Sequence, residues 1–253
     1  MLFMIDNVIE RMSTVNGKNI LITGASQGIG AQTAEYLSAQ GATVILVARS
    51  EDKLEKIKAG LPERSYIYPC DLNDLEQIKG IFDFCAGSGL KLHGMVHCAG
   101  VNRDIPIRNN NIEMMLETIT VNYMSFTELS KYFIKKKYSE EDSSIVAISS
   151  HATNIIASGM STYTSSKAAL EATVKVLAKE VLKRRIRVNA IAPACVDTEM
   201  VANAPFIDNE GITVSQPLGL IEPVHISYLV DFLLSDKARY ITGAVIPVSA
   251  GTI

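Results

Sequence analysis

The segment Thr23-Gly24-Ala25-Ser26-Gln27-Gly28-Ile29-Gly30 continues the apolar run Asn19–Thr23 and leads into a helical pattern over Ile29–Gln40. Glycines between a strand and a helix permit a tight turn and a close approach of backbone to a bulky anion. The helix that begins there points unpaired N–H groups and the positive end of its dipole at the same spot. A glycine-rich stretch alone is a weak signal, because ordinary turns account for most of them. Strand, loop and helix in that order are the context a dinucleotide-phosphate site requires. The segment therefore predicts phosphate binding by Gly24, Ser26, Gln27, Gly28, Ile29 and Gly30.

Outward from this loop, short apolar runs rich in β-branched residues alternate with longer helical patterns. The strand-like runs are Asn19–Thr23, Thr43–Ala48, Tyr66–Cys70, Gly94–Cys98, Ser144–Ser149, Arg187–Ile191 and Ala244–Val248. They are nearly continuous in apolar residues, as strands covered on both faces are. The helical stretches are Ile29–Gln40, Asp52–Lys58, Asp74–Phe84, Ile112–Lys137, Thr162–Lys183 and Val224–Leu234, with Gly41 where a C-terminal cap belongs. This alternation predicts an α/β fold: a doubly wound parallel sheet of about seven strands with helices on both faces. No Pro/Gly/Ser-rich linker or repeat divides the chain, so residues 18–253 read as one domain. Residues 1–17 read as an extension whose Leu2, Ile5, Ile9 and Met12 suit one face of a short packed helix.

The chain has 253 residues, 47% hydrophobic and 20% charged, with a formal net charge of −3. That balance offers no reason to expect nucleic acid or an anionic membrane as partner. No apolar run approaches the roughly eighteen residues a membrane span needs. The N-terminal stretch has no basic region and Asp6 interrupts it, which does not fit a signal peptide. Cys70, Cys85, Cys98 and Cys195 form no CxxC pair and no ligand rhythm, so neither disulfides nor a metal are expected. A reducing cytoplasm is the expected location.

Tyr163-Thr-Ser-Ser-Lys167 opens the fifth long helical pattern, and residues four apart share a helix face. Ser150, thirteen residues upstream, ends a strand in Ile-Ser-Ser-His, at the carboxyl edge where open α/β sheets bind ligands. Reducing a ketone places negative charge on its oxygen as hydride reaches carbon, so an acid must meet that oxygen. Tyrosine, with a pKa near 10, needs a neighbouring cation to lower it toward neutrality. Lys167 is that cation, Tyr163 the acid or base, and Ser150 a donor to the developing oxyanion. Ser149 competes for the last role, but strand alternation and spacing favour Ser150. His151 could line the pocket, and His93 and His225 have no cluster partners.

The Gly-x-x-x-Gly-x-Gly spacing resembles that of the short-chain dehydrogenase/reductase family, and the resemblance runs from about Lys18 to Gly251. It implies a Rossmann-type fold and a nicotinamide dinucleotide. Asp71-Leu72 matches the acidic motif beside the adenine, and His97-Cys98-Ala99-Gly100 stands where the family usually has Asn-Asn-Ala-Gly. Asn122 matches the family's helix asparagine, which holds a water linking the lysine to solvent. Pro193-Ala194-Cys195-Val196-Asp197-Thr198 matches the Pro-Gly-x-x-x-Thr stretch beside the nicotinamide. The resemblance thus implies catalytic roles for Asn122, Ser150, Tyr163 and Lys167. It implies cofactor contacts at Asp71, Leu72, Cys98, Ala99, Gly100, Tyr163, Lys167, Pro193, Val196 and Thr198, with Lys167 on the nicotinamide ribose. His97, Cys98 and Ala194 depart from the pattern without removing a proton-transfer group.

At the end of the second strand the acidic position of NAD-preferring sites is Ala48, followed by Arg49 and Ser50. A guanidinium and a hydroxyl suit a ribose 2′-phosphate, so NADP(H) is the expected cofactor and NAD(H) the alternative. The chain is most similar in pattern to the 3-oxoacyl-acyl-carrier-protein reductases, on Gly219-Leu-Ile-Glu-Pro223 and Ile241-Thr-Gly243. That similarity implies a carrier-bound 3-oxoacyl substrate and a homotetramer or homodimer. Two basic groups could guide an acidic carrier: Lys135-Lys136-Lys137, and Lys179, Lys183, Arg184 and Arg185. The substrate lid is expected at Glu199–Pro217, with Phe206, Asp208 and Glu210. The alternatives are a dehydrogenase of a small polyol, sugar or steroid alcohol, and a non-catalytic dinucleotide-binding sensor or scaffold.

Overall fold

The computed structural model describes residues 15–202 and 216–252. Its centre is a seven-stranded, wholly parallel sheet in the order β3-β2-β1-β4-β5-β6-β7. The strands are β1 (Asn19–Thr23), β2 (Thr43–Ala48), β3 (Ser65–Pro69), β4 (Leu92–His97), β5 (Ser139–Ile148), β6 (Arg187–Pro193) and β7 (Val245–Val248). The helices are α1 (Gly28–Ala39), α2 (Glu51–Ala59), α3 (Ile78–Gly87), α4 (Ile112–Ile119), α5 (Ser125–Phe133), α6 (Ser161–Glu180), a single turn α7 (Glu199–Ala202) and α8 (Pro223–Leu234). The order reverses between β1 and β4, and ligands of open α/β sheets bind at such a switch, outside the carboxyl ends of the strands.

Both faces of the sheet are covered, which is why its strands carry apolar residues at successive positions. Leu21 of β1 joins a core with Phe82 of α3, Phe126 and Phe133 of α5, and Leu170 and Val174 of α6. Its neighbours Ile20 and Ile22 point the other way, into a core with Leu37 of α1 and Ile226 and Val230 of α8. Along α6 the buried residues are Tyr163, Ser166, Lys167, Leu170, Val174, Leu177 and Ala178, a stripe at three- and four-residue spacing. The same stripe that anchors the helix thus carries Tyr163 and Lys167 inward.

The expected helix over Ile112–Lys137 is interrupted. Thr120–Met124 forms a π-helical turn between α4 and α5, and α5 ends at Phe133. Tyr138 turns into the core and β5 starts at Ser139, so Lys135-Lys136-Lys137 lie in a tight turn and not on a helix. The helix predicted to start at Asp74 begins as a 3-10 turn, Leu75–Gln77, with Asp74 capping it. The predicted N-terminal helix falls on residues 1–14, outside the described residues. So does most of the expected lid, including Phe206, Asp208 and Glu210; only its start, α7, and its return at Gln216 are described.

Candidate active site

The glycine loop runs from the end of β1 to the start of α1. Gly24 has φ +66°, and a Cβ there would lie 2.7 Å from the Ala99 amide nitrogen. A Cβ on Gly30 would collide with the Gly24 carbonyl oxygen. The loop is therefore a cradle that only backbone can form. At its end Gln27 leaves the start of α1 without a side-chain cap, and the first turn has no acidic residue. Its N–H groups and dipole face an open cleft, an arrangement that suits a phosphate.

That cleft brings together most of the residues predicted to hold a cofactor. Gly24, Ser26, Gln27, Gly28, Ile29 and Gly30 form one wall, Arg49 and Ser50 extend it from β2, and Asp71 and Leu72 close it beyond β3. Cys98, Ala99, Gly100 and Thr198 complete it. Pro193 and Val196 lie elsewhere: Pro193 is buried at the end of β6, and the Val196 side chain is in the core, 4% exposed. Only backbone at these two positions is left to meet a ligand. Sequence reasoning missed Lys53, which lines the cleft and donates from Nζ to Gln27 Oε1 at 3.1 Å. It sits one helical turn past Arg49, a spacing that could have drawn notice. Also missed was Gln216, whose buried amide accepts from the Cys195 N–H at 2.9 Å and donates to the Cys195 and Gly219 carbonyls at 2.8 and 2.7 Å. It fixes the loop that follows β6, and no local motif announces it.

Beside the cleft, at the ends of β4 and β5, lie the four residues predicted for catalysis. Lys167 is 3% exposed and donates from Nζ to the Ile148 carbonyl at 2.8 Å. Burial pulls its ammonium down to about 8, while Cys98 and Glu171 oppose the shift. Asn122 sits fully buried in the π turn. Its amide accepts from the Val101 N–H at 2.8 Å and donates to the Val101 carbonyl at 2.9 Å and to Ser166 Oγ at 3.0 Å. A Cβ on Gly100 would lie 3.3 Å from Lys167 Nζ and 3.4 Å from Asn122 Oδ1, so that glycine, the lysine and the asparagine share one small space.

Ser150 follows β5, and its hydroxyl oxygen accepts from the Ala152 N–H at 3.2 Å, capping the turn His151–Thr153. It also lies near enough to the Tyr163 phenol to lower its pKa. Ser149 is committed elsewhere, donating to Glu171 Oε1 at 2.5 Å, which leaves Ser150 to face the tyrosine. His151 pairs only loosely with Asn154, His93 accepts from the Asn19 N–H, and His225 packs edge-on against Tyr228.

One expectation is reversed. Lys167 was expected to lower the Tyr163 pKa, yet the phenol is raised, chiefly by burial, with Asp104 and Cys195 adding to the rise and Ser150 opposing it. The physical reason is that Tyr163 is 8% exposed while the ammonium is held by Ile148, 5.9 Å from the ring centre. Desolvation of a phenolate outweighs a cation that is itself desolvated. Tyr163 is therefore protonated at neutral pH.

A family model described as enoyl-(acyl carrier protein) reductase matches residues 24–252. The chain belongs to the short-chain dehydrogenase/reductase family. It is 31% identical to the 3-oxoacyl-[acyl-carrier-protein] reductase of Thermotoga maritima over 243 residues, covering 94% of this chain and 99% of that protein. It is 32% identical to the reductase of the same name from Escherichia coli K12, covering 93% and 97%. The solved structure of a short-chain type dehydrogenase/reductase from Mycobacterium ulcerans superposes with a TM-score of 0.85 at 27% identity, covering 94% of this chain and 90% of that one. As a member of this family the protein is an oxidoreductase that binds a nicotinamide dinucleotide.

The departures from the family pattern have local reasons. His97 replaces an asparagine and is fully buried; its Nδ1 pairs with Thr23 Oγ1 at 3.0 Å, its ring packs on Phe126, and burial pushes it down to about 3. It is thus a neutral polar filler that adds no charge beside Lys167. Ala194 stands where glycine is usual, and it is not among the residues with positive φ, so its Cβ is accepted without strain. Among the described residues no group of His, Cys, Asp or Glu is arranged to hold a metal, and no helix is long and apolar enough to cross a membrane.

The cradle yields a direct test. Gly30→Ala should abolish dinucleotide binding, measured by quenching of reduced-nicotinamide fluorescence, while the far-UV circular dichroism stays that of the parent. Binding within threefold of the parent would show that the loop is not a close-approach cradle.

Proposed function

We propose that the protein is an NADPH-dependent reductase of 3-oxoacyl thioesters carried on acyl carrier protein. The observation that carries this reading is the grouping of Ser150, the protonated Tyr163 and the buried Lys167 ammonium, 5.9 Å from the tyrosine ring centre, at the carboxyl edge of the sheet. Such a phenol can give its proton to a carbonyl oxygen as hydride reaches the carbon. The similarity to two reductases of that name supports the substrate class.

In this reading the bound nicotinamide supplies the hydride, and the chain's own residues do the rest. Ser150 donates a hydrogen bond to the substrate carbonyl and so favours negative charge on its oxygen. Tyr163 delivers the proton to that oxygen from its phenol. Lys167 stabilises the tyrosinate left behind and holds the cofactor's ribose. Asn122, locked onto the Val101 backbone, keeps the water that returns a proton by way of Lys167. The glycine loop, Asp71, Leu72, Cys98, Ala99, Gly100 and Thr198 hold the dinucleotide, with backbone at Pro193 and Val196.

The preference for NADPH rests on cations at the far end of the cleft. Arg49 has no ion pair among the described residues, and Lys53 stands beside it, tied only to Gln27. No acidic residue lines that wall from β2, so a 2′-phosphate gains charge pairing there.

Of the seven cations named for carrier docking, three are paired within the chain. Arg184 donates to the Ile134 and Ser139 carbonyls, Arg185 pairs with Glu141 and Asp142, and Lys137 pairs with Asp83. Both groups lie just before β5 and β6, at the edge of the sheet opposite Ser150, so docking in this reading draws on a neighbouring subunit. A homotetramer or homodimer in the cytoplasm is consistent with apolar side chains left exposed on α4, the π turn and α6: Ile112, Leu116, Met124 and Val176.

Two measurements test this reading. Acetoacetyl-carrier protein should be reduced with NADPH faster than acetoacetyl-pantetheine, and Tyr163→Phe should lower turnover by roughly two to four orders of magnitude with cofactor binding retained. If neither thioester is reduced while a polyol, sugar or steroid alcohol is oxidised, the substrate assignment is wrong. If Tyr163→Phe keeps a tenth of the rate, the proton donor is wrong. Separately, kcat/KM should favour NADPH over NADH, and Arg49→Ala should reduce that ratio at least tenfold; an unchanged ratio contradicts the assignment of the phosphate site.

A further inference from the structure

The helix that carries Tyr163 and Lys167 has a third polar residue at the same spacing, Glu171. Residues four apart drift only slightly around a helix, so Glu171 lies on the same side as the other two, one turn further on. Among the described residues no cation forms an ion pair with its carboxylate. Instead Oε1 accepts from the Ser149 hydroxyl at 2.5 Å and lies 3.0 Å from Thr153 Oγ1. Thr153 Oγ1 is also 2.9 Å from the Ser150 carbonyl oxygen. One carboxylate oxygen therefore gathers the hydroxyls on either side of Ser150, at the end of β5 and at the close of the turn His151–Thr153.

The consequence for Ser150 is geometric. It stands on the segment that leaves β5, and its own hydroxyl oxygen is held by the Ala152 N–H. Nothing in that cap fixes the segment's distance from α6. Hydroxyl–carboxylate bonds are short and charge-assisted, so they hold a loop more tightly than neutral pairs do. We propose that Glu171 is a positioning residue that clamps the Ser149–Thr153 segment onto α6 and thereby sets Ser150 against Tyr163. The inference rests on Ser150 and Tyr163 being the reacting pair. Glu171 also raises the Lys167 pKa against the pull of burial. The other group that raises it, Cys98, has a thiol pushed up to about 12 and is uncharged at neutral pH, so Glu171 supplies the negative charge.

The test compares Glu171→Ala, which removes the acceptor, with Glu171→Gln, which keeps an acceptor oxygen but no charge. NADPH oxidation is followed with acetoacetyl-pantetheine, or with the carbonyl of a substrate panel that the parent reduces best. Glu171→Ala should lower kcat ten- to a hundredfold while the fluorescence Kd for NADPH stays within threefold, since the cleft is built elsewhere. Amide hydrogen exchange in 149–155 should speed up in Glu171→Ala and stay near parent in Glu171→Gln, a readout that needs no substrate. Glu171→Gln should keep at least a third of the kcat at pH 7, with the alkaline fall in rate moved to lower pH. Ser149→Ala combined with Glu171→Ala should cost less than the product of the two single effects, because both break the same clamp. A Glu171→Ala kcat within twofold of the parent, unchanged exchange, or strictly multiplicative effects would overturn the proposal. If Glu171→Ala fails to fold, Ser149→Ala decides: faster exchange in 149–155 supports the clamp, and unchanged exchange overturns it. Tyr163→Phe run alongside separates the failures: an active Tyr163→Phe removes the reacting pair itself, whereas an inactive one beside an unaffected Glu171→Ala removes only the clamp.

Discussion

The Lys167 ammonium, on a residue only 3% exposed, donates to the carbonyl of Ile148, the last residue of β5. An isolated cation at such depth is expensive, and the carbonyl, the nearby Glu171 carboxylate and the shared space with Asn122 offset that cost. The contact also ties α6 to the carboxyl edge of the sheet. Tyr163, one turn earlier on the same buried stripe, is brought to that edge by the same packing. The packing of α6 on the sheet and the assembly of the site are therefore one event.

The surroundings keep three titratable neighbours, His97, Cys98 and Tyr163, uncharged. His97 is pushed far below neutrality and the Cys98 thiol far above it, both mainly by burial. Tyr163 holds its proton for the same reason. One cation thus faces one neutral acid in a low-dielectric pocket, so a charge arising on a substrate oxygen meets little competition. The glycine cradle and the bare start of α1 offer a setting suited to an anion at the opposite end of the cleft. The parallel sheet sets these two ends on one edge, at the reversal between β1 and β4.

Much of this was legible before any coordinates. Continuous apolar runs located all seven strands, because strands covered on both faces leave no alternating pattern to blur. The glycine loop and the Tyr163–Lys167 spacing were readable since each acts through near neighbours in sequence. What escaped depends on the third dimension. The π turn around Asn122 is invisible to a helical periodicity that differs from it by one residue in a turn. Gln216 and Glu171 act on backbone or hydroxyls about twenty residues away, with no local signature. Burial reversed the shift expected for Tyr163, and the pairing of Arg184, Arg185 and Lys137 showed that three of the cations noticed in sequence already have partners. The packed N-terminal helix and the lid residues Phe206, Asp208 and Glu210 lie outside the described residues.

The site turns on a lysine that is buried, charged and close to losing its charge. Its pKa can be read by following the Lys167 Nζ and Cε resonances with pH in protein labelled at lysine, with Lys167→Arg assigning the signal. A lowered pKa means that the cation is present below the midpoint and lost as pH rises through it. Burial of Lys167 at the sheet edge predicts a midpoint near 8, in place of the ordinary 10.5, and carbonyl reduction that declines over the same interval. A midpoint close to 10.5, with the rate level up to that pH, would place Lys167 in contact with water and contradict it.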